Sequence, residues 1–366
     1  VDAGENDVQA SLSVQHGTLT LWPTTGLTLA VGGGTSGVTV VGSVDEINAA
    51  LNGLSYTPAL DYNGSDTLTM TSNDQGNTGS GGALSDTDLV AITVSNVNNA
   101  PAIAVVTATQ AITDKQTVAP FGDVTIGDVD SPAQTLAVTV SLNDNAAGAF
   151  TAGSLSGSGF SGSGPYLFSG TAGAATAALR SLVFAPAENR VAPGTWEDVV
   201  LTITATDGAA GAPNGTVTVR VTSENDGPTI AGTVANQGVL DNGMIAPFVG
   251  VTIGDVDNPA QTLTVTVVLA PSDQGAFTAP SLGASGFSGS GPGEYVLANV
   301  PAATATAALR GLVFDPRENH LAPGASETTG LTITVSDGMA GATDSQTTVI
   351  ATSVNDAPVI GGTAAG

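Results

Sequence analysis

The chain has 366 residues, 6 Lys plus Arg against 32 Asp plus Glu, a formal charge of −26, and no cysteine. Nucleic acid and anionic membrane both need clustered cations, so both are excluded as partners, and without thiols there are no disulfides and no thiolate chemistry. Hydrophobic residues at 41% with regular Val/Ile/Leu/Thr alternation predict folded domains rather than acidic disorder, and no apolar run approaches the roughly 20 residues that cross a bilayer.

In chain order, Ser43–Leu51 is the first segment that reads as helix, short and followed at once by a strand-like run. Asp74-Gln75-Gly76 then reads as a loose turn. Thr135–Leu142 alternates with period two, as a half-buried strand does. Ser156–Pro165, SGSGFSGSGP, reads as a flexible hairpin edge around Phe160. Ala172–Leu179 is a second helical segment. Val199–Thr206 and Thr216–Val221 are strands joined through Asp207-Gly208 and Pro213-Asn214-Gly215, whose Gly and Asn accept positive φ, so they form a closing hairpin. Thr262–Val267, the edge string Ser285–Pro292, the helical Ala302–Leu309 and the turn at Asp337-Gly338 repeat the series. Leu51, Leu179 and Leu309 are the expected core plugs of the three helical turns.

The series repeats because the sequence does, at a spacing of about 130 residues. FGDVTIGDVDSPAQTL (Phe121–Leu136) returns as FVGVTIGDVDNPAQTL (Phe248–Leu263). ALRSLVFAPAENRVAPG (Ala178–Gly194) returns as ALRGLVFDPRENHLAPG (Ala308–Gly324), with a diverged ALNGLSYTP at Ala50–Pro58. Units this long are whole domains rather than solenoid steps. The expected division is residues 1–99, lacking the first strands, then 100–226, 227–356, and 357–366 as the first strand of a following domain. Many short strands with turn chemistry between them predict an all-β chain of tandem Ig/cadherin-like β-sandwich domains in an elongated array.

VNDAP at Val354–Pro358, IGDVDNPAQTLTVTV, INAALNGLSYTP with DYNGSDTLT, and SDTDLVAITV resemble the cadherin-like and chondroitin-sulfate-proteoglycan-like tandem repeats of giant bacterial surface adhesins. The resemblance covers essentially the whole chain. It implies an extracellular, bacterial cell-surface location and calcium (Ca2+) at the interdomain joints. An Asp-x-Asp on extended backbone turns both carboxylates to one side, and calcium takes six to eight oxygens. Asp128/Asp130 and Asp255/Asp257 have this spacing. By resemblance, the first joint would use Asn98, Asn99, Asp128 and Asp130, with Asp61 or Asp74. The second would use Glu224, Asn225, Asp226, Asp255 and Asp257, with Glu188 or Asp207, and Asn355-Asp356 would serve a following domain. Asn99 departs from the Asn-Asp pattern and removes a charge there. The same motifs also make good turns by side-chain to backbone bonding, and the residues leave both readings open.

Catalysis has little to work with. His16 and His320 sit on different repeats beside turns, no serine has a nucleophile-elbow context, and acids that recur per repeat suit structural ions better than one active site, so no enzyme is expected. Phe150, Phe160 and Phe184 recur as Phe277, Phe287 and Phe314, marking core anchors. Trp22 and Trp196 do not recur, and loop packing is their expected role, with a sugar or protein contact as the alternative. Val1-Asp2 aligns with Val129-Asp130, and Ala357–Gly366 with Gly227–Asn236. The expectation is an ordered window of a longer polypeptide; the alternative is a filament subunit completed head to tail by a neighbour's strand. The reading is a structural segment of a surface adhesin, stalk or fibre whose partners are neighbouring repeats of the same or an identical chain. The rival is a module binding a surface glycan or protein.

Overall fold

The computed structural model describes residues 5–77, 81–105 and 109–357. Val1-Asp2 and most of the expected terminal strand at 357–366 lie outside them. Period-two alternation becomes burial directly. Leu136, Val138 and Val140 of Leu136–Leu142 point inward, as do Leu263, Val265, Val267 and Leu269 of Leu263–Ala270. The result is all-β, built as tandem β-sandwiches around three hydrophobic clusters.

The second sandwich has a five-stranded sheet in the order Tyr166–Gly170, Leu136–Leu142, Trp196–Thr206, Gly215–Thr222, Gln110–Thr113. The first four strands are antiparallel, and Gln110–Thr113 lies parallel to Gly215–Thr222. Two ribbons pack on it through the same core: Ala102–Ala104 with Thr125–Gly127, and Gly148–Phe150 with Phe184–Pro186. The third sandwich repeats this, with Gln237–Leu240 parallel to Gly341–Thr352 and an added edge strand at Ser288–Gly291. The first has Leu29–Val31, Gly37–Gly42, Val8–Ser13, Gly64–Asn73 and Ser85–Val94 in one sheet, plus a ribbon of Gly17–Thr20 with Ser55–Pro58.

The three short helices form where the sequence places them, over Val44–Leu51, Ala172–Arg180 and Ala302–Arg310. Ser43 and Glu46 make a reciprocal capping box at the first, and the Thr171 hydroxyl caps the second. Leu179 and Leu309 are fully buried, but Leu51 is only half-buried, and Ile47 and Ala50 carry the first helix's core contact. The Ser/Gly strings are corrected in part: Ser288–Gly291 of the later one does form a hairpin edge with Glu294–Val300, but the beginnings of both are helical. Their first halves close the helices Ala152–Ser158 and Ala279–Ser285, each ended by a left-handed glycine, Gly159 or Gly286. That conformation suits glycine and aims Phe160 and Phe287 into the core.

The tryptophans do not pack loops. Trp22 is 77% exposed, and Trp196, 53% exposed, opens a strand with the Arg220 guanidinium 3.6 Å from its ring centroid. His16 stacks on Tyr62 at 4.2 Å, and His320 Nδ1 lies 2.8 Å from Glu327.

One buried acid organises the first sandwich. Asp66 accepts from the amides of Gln15 (3.1 Å), His16 (2.8 Å) and Thr67 (2.7 Å) and from the Tyr56 hydroxyl (2.9 Å). Burial alone raises its pKa, but these donors outweigh that and hold it down at about 2. Tyr56 is pushed up to about 12, first by burial and then by the Asp66 carboxylate. A depressed carboxylate adds stability above its unfolded pKa, near 3.8, and loses it as pH falls toward the folded value near 2. Melting of the first sandwich is therefore expected to fall as pH drops from 4 toward 2, and Asp66→Asn is expected to lower the pH 7 melt and flatten that acid limb. Thermal unfolding followed by residue-resolved NMR across this range checks both.

Candidate metal centres at the sandwich junctions

Each junction gathers three carboxylates from one sandwich and clamps them to the linker entering it. At the first, one carboxylate oxygen each from Asp128, Asp130 and Asp207 lie within 4.8 Å of one another. At the second the trio is Asp255, Asp257 and Asp337. Asp128 and Asp130 follow the strand Thr125–Gly127, while Val129 turns out to solvent, as the alternation requires. The third acid sits in the closing hairpin. Asp207 Oδ1 accepts from the amides of Ala209 and Ala210, both at 2.7 Å, which holds the turn and leaves Oδ2 facing the linker.

This corrects the sequence assignment of Asp207 to the second junction. The strand after its turn, Gly215–Thr222, runs down to the 224–226 linker, so the turn itself lies at the opposite end. Its counterpart at the second junction is Asp337, which sequence reasoning missed although Asp337-Gly338 repeats Asp207-Gly208. By the same geometry Asp74 caps its own turn, accepting from Gly76 and Leu84, away from the 98–99 linker. Glu188 is exposed and outside both trios. The Glu224 carboxylate is exposed too, and its amide donates to Asp114 Oδ1 at 3.0 Å.

The linkers engage the trios in matching ways. The Asn99 amide donates to both oxygens of Asp130 (3.2 and 3.1 Å), and Asn98 Nδ2 to Asp207 Oδ2 at 3.0 Å. At the second junction the Asp226 amide donates to both oxygens of Asp257 (3.3 and 3.2 Å), and Asn225 Nδ2 to Asp337 Oδ2 at 3.0 Å. A glutamine unforeseen in sequence completes each clamp. Gln134 Nε2 bridges Asn98 Oδ1 and Asp130 Oδ2 (3.0 and 2.9 Å), and Gln261 does the same for Asn225 and Asp257 (2.9 and 3.0 Å). The signal was present: both copies spell Pro-Ala-Gln-Thr-Leu. The first junction also ties back, Asn99 Nδ2 to Asp61 Oδ1 (3.2 Å) and Asn63 Nδ2 to the Ser131 carbonyl (2.5 Å).

The two junctions differ in charge. Asp226, absent from the first junction where Asn99 stands, pairs with Lys115 Nζ at 2.7 Å. That ammonium holds the Asp226 carboxyl below its ordinary range. Asp257 is raised instead, first by burial and further by the nearby Asp255, Asp226 and Asp337 charges. Asp207 is lowered by the Ala210 amide and the Asn98 side chain. In Asp337 burial acts upward, but donation from Ala340, Asn225 and Met339 outweighs it.

Buried oxygens without partners mark where compensation is missing. Among the described residues, Asp128 Oδ2 and its counterpart Asp255 Oδ2 are buried and find no donor, and the same holds for Asp226 Oδ2 and Gln261 Oε1. Such atoms cost on the order of 1–3 kcal/mol each when left unpaired. An all-oxygen donor set of three carboxylates suits a hard cation such as calcium rather than zinc or copper, which favour nitrogen and sulfur.

The sequence matches no protein-family model and no curated protein. Solved structures with some likeness include protocadherin gamma B2 extracellular cadherin domains 3-6, at 15% identity and TM-score 0.30, covering 94% of this chain and 68% of that one. Mouse cadherin-23 EC22-24 matches at 14% identity and TM-score 0.30, covering 94% and 86%. An endo-fucoidan hydrolase from glycoside hydrolase family 107 matches at 12% identity and TM-score 0.20, covering 92% and 38%. Scores this low carry no argument about ligand or activity. The architecture rests on the strand pairings and cores described above.

Proposed function

We propose that the chain is a structural repeat segment of an extracellular surface protein, a bacterial adhesin, stalk or fibre, whose joints are stiffened by calcium. Asp128, Asp130 and Asp207 would hold one ion group, and Asp255, Asp257 and Asp337 the other. The bound cation would neutralise like charges and give the unpartnered oxygens of Asp128 and Asp255 a ligand. The chain's own contribution is the clamp. Asn98-Asn99 and Asn225-Asp226 donate to the same carboxylates, so ordering the trio also orders the linker that enters it. One observation carries this reading: the same trio, clamp glutamine and orphaned oxygen recur at both junctions. Three carboxylates offer at most six oxygens, which reaches the lower end of calcium's coordination range.

Small-angle scattering and thermal melting in calcium and in chelator test it. Calcium is expected to narrow the distribution of interdomain shapes and raise melting, and magnesium, which demands smaller octahedral sites, to do so weakly. Identical scattering and melting in calcium and chelator would remove the stiffening role.

A further inference from the structure

The sequence contains a single lysine, and the fold brings it to the second junction. Lys115 sits in the turn after Gln110–Thr113, at the end of the second sandwich from which the linker leaves. Its neighbour Asp114 is buried and fixes that turn. It accepts from the Asn189 amide (3.1 Å), the Ser223 hydroxyl (2.9 Å) and the Glu224 amide (3.0 Å). The third sandwich repeats the arrangement, with buried Asp241 accepting from the amides of Asn319 (3.2 Å) and Val354 (3.0 Å). The residue after Asp241, however, is Asn242. The turn therefore forms without a lysine, and the ammonium serves something outside it.

Its partner is Asp226. The Asp226 amide donates to both oxygens of Asp257 in the third sandwich, while its Oδ1 lies 2.7 Å from Lys115 Nζ in the second. One linker residue is thus held by both sandwiches, through its amide on one side and its carboxylate on the other. Glu224 and Asp114 also face the ammonium, and Asp226 adds to the negative field that Asp255 and Asp337 exert on Asp257. Exposed ion pairs contribute little, because two long side chains must be ordered to form them. Here both ends are ordered beforehand, the carboxylate by the clamp on Asp257 and the lysine backbone by its place beside Asp114. At the first junction Asn99 stands where Asp226 does and brings no charge for an ammonium to meet.

We propose that Lys115 is the resident cation of the second junction: its ammonium ties the linker to both sandwiches when no metal is bound, and competes with a metal ion for Asp226. The competition rests on the calcium reading above, whereas the metal-free tie does not. Neutralising residue 115 has two consequences of fixed sign. Without metal, Asp226 loses its hold on the second sandwich, and the carboxylates of Asp226, Asp255, Asp257 and Asp337 face one another with less compensation, so the joint loosens. With metal, Asp226 Oδ1 is freed to act as a further ligand and one repelling charge is gone, so the ion binds more tightly.

The chain has no cysteine, so spin labels placed through Ala137→Cys and Thr334→Cys, both at exposed strand positions, report the second joint alone. Double electron–electron resonance on this labelled full chain, from chelator through rising calcium, compares the parent with Lys115→Met. In chelator the variant is expected to give a broader distance distribution. Its half-maximal calcium concentration should fall by about three- to tenfold, as loss of one nearby, partly screened charge implies. Lys115→Arg, which keeps the charge, should behave as the parent does. In an Asp226→Asn background, replacing Lys115 should move neither readout, because the pair is already broken. An unchanged chelator distribution, an unchanged or raised calcium midpoint, or an equal shift in the Asp226→Asn background would overturn the proposal. If the parent's distribution ignores calcium altogether, the calcium reading fails by itself, and the chelator comparison alone decides for or against Lys115.

Discussion

Asp337→Asn is expected to abolish calcium binding at the second junction while leaving the first intact, and Asp207→Asn to do the reverse. The substitutions isolate charge. Asparagine keeps the Oδ1 acceptor that holds Met339 and Ala340, or Ala209 and Ala210, so the hairpin turn survives. Sites of extracellular modules bind calcium at roughly 10⁻⁴–10⁻³ M. At about ten times the dissociation constant, linkage gives about 1.4 kcal/mol, or roughly 5 °C in the melting of one sandwich. Each variant should therefore lose about that increment in calcium for its own sandwich only, and match the parent in chelator. Calorimetric titration with domain-resolved melting checks it. If Asp207→Asn instead silences the second junction, the placement of the hairpin acids is wrong.

Phe184→Ala should have the largest effect on stability of any single change considered. Phe184 is fully buried, lies 6.2 Å from Phe150 edge-on, and exchanges backbone bonds with Val118 across the two halves of the core. Truncating a buried phenylalanine costs about 3–5 kcal/mol through lost transfer energy and the cavity left behind. For a unit of this size that lowers the melting temperature by roughly 12–20 °C. The second sandwich should then unfold ahead of the other two. Trp196 belongs to that sandwich, so a separate early transition in tryptophan emission reports it, with Trp22 marking the first sandwich. A single unchanged transition would show that the three cores melt as one unit. Tyr56→Ala, at the matching but only half-buried position, should cost the first sandwich less of its packing.

Much of the fold was legible because alternation maps onto burial without help from tertiary context. Leu136–Leu142 and Gly215–Thr222 read correctly from the spacing of Val and Leu alone. The junction acids were legible as types and as Asp-x-Asp pairs, but their grouping was not. Asp207 lies about eighty residues from Asp128, and only the direction of the hairpin decides which end of the sandwich it joins. Gln134 and Gln261 escaped notice because an amide among Pro, Ala and Thr carries no charge signal. The beginnings of the Ser/Gly strings misled because composition suggested flexibility, whereas the Thr151 and Thr278 caps and the left-handed Gly159 and Gly286 set a helix there, and the expected hairpin edge forms only further on, at Ser288–Gly291. Leu51 looked like Leu179 in sequence, yet among the described residues Leu179 is fully buried and Leu51 only half-buried, because burial depends on what packs from elsewhere in the chain.

The parallel pairing of Gln110–Thr113 with Gly215–Thr222 bears on how the second sandwich meets a pulling force. One strand lies near the unit's entry and the other leads to its exit, side by side and pointing the same way. Tension applied along the polypeptide drags them in opposite senses along a shared axis. Their hydrogen bonds are thus loaded together in shear rather than peeled apart in turn. Gln237–Leu240 and Gly341–Thr352 give the third sandwich the same lock. Stretching the chain should therefore show two high rupture peaks, one from each of these two sandwiches.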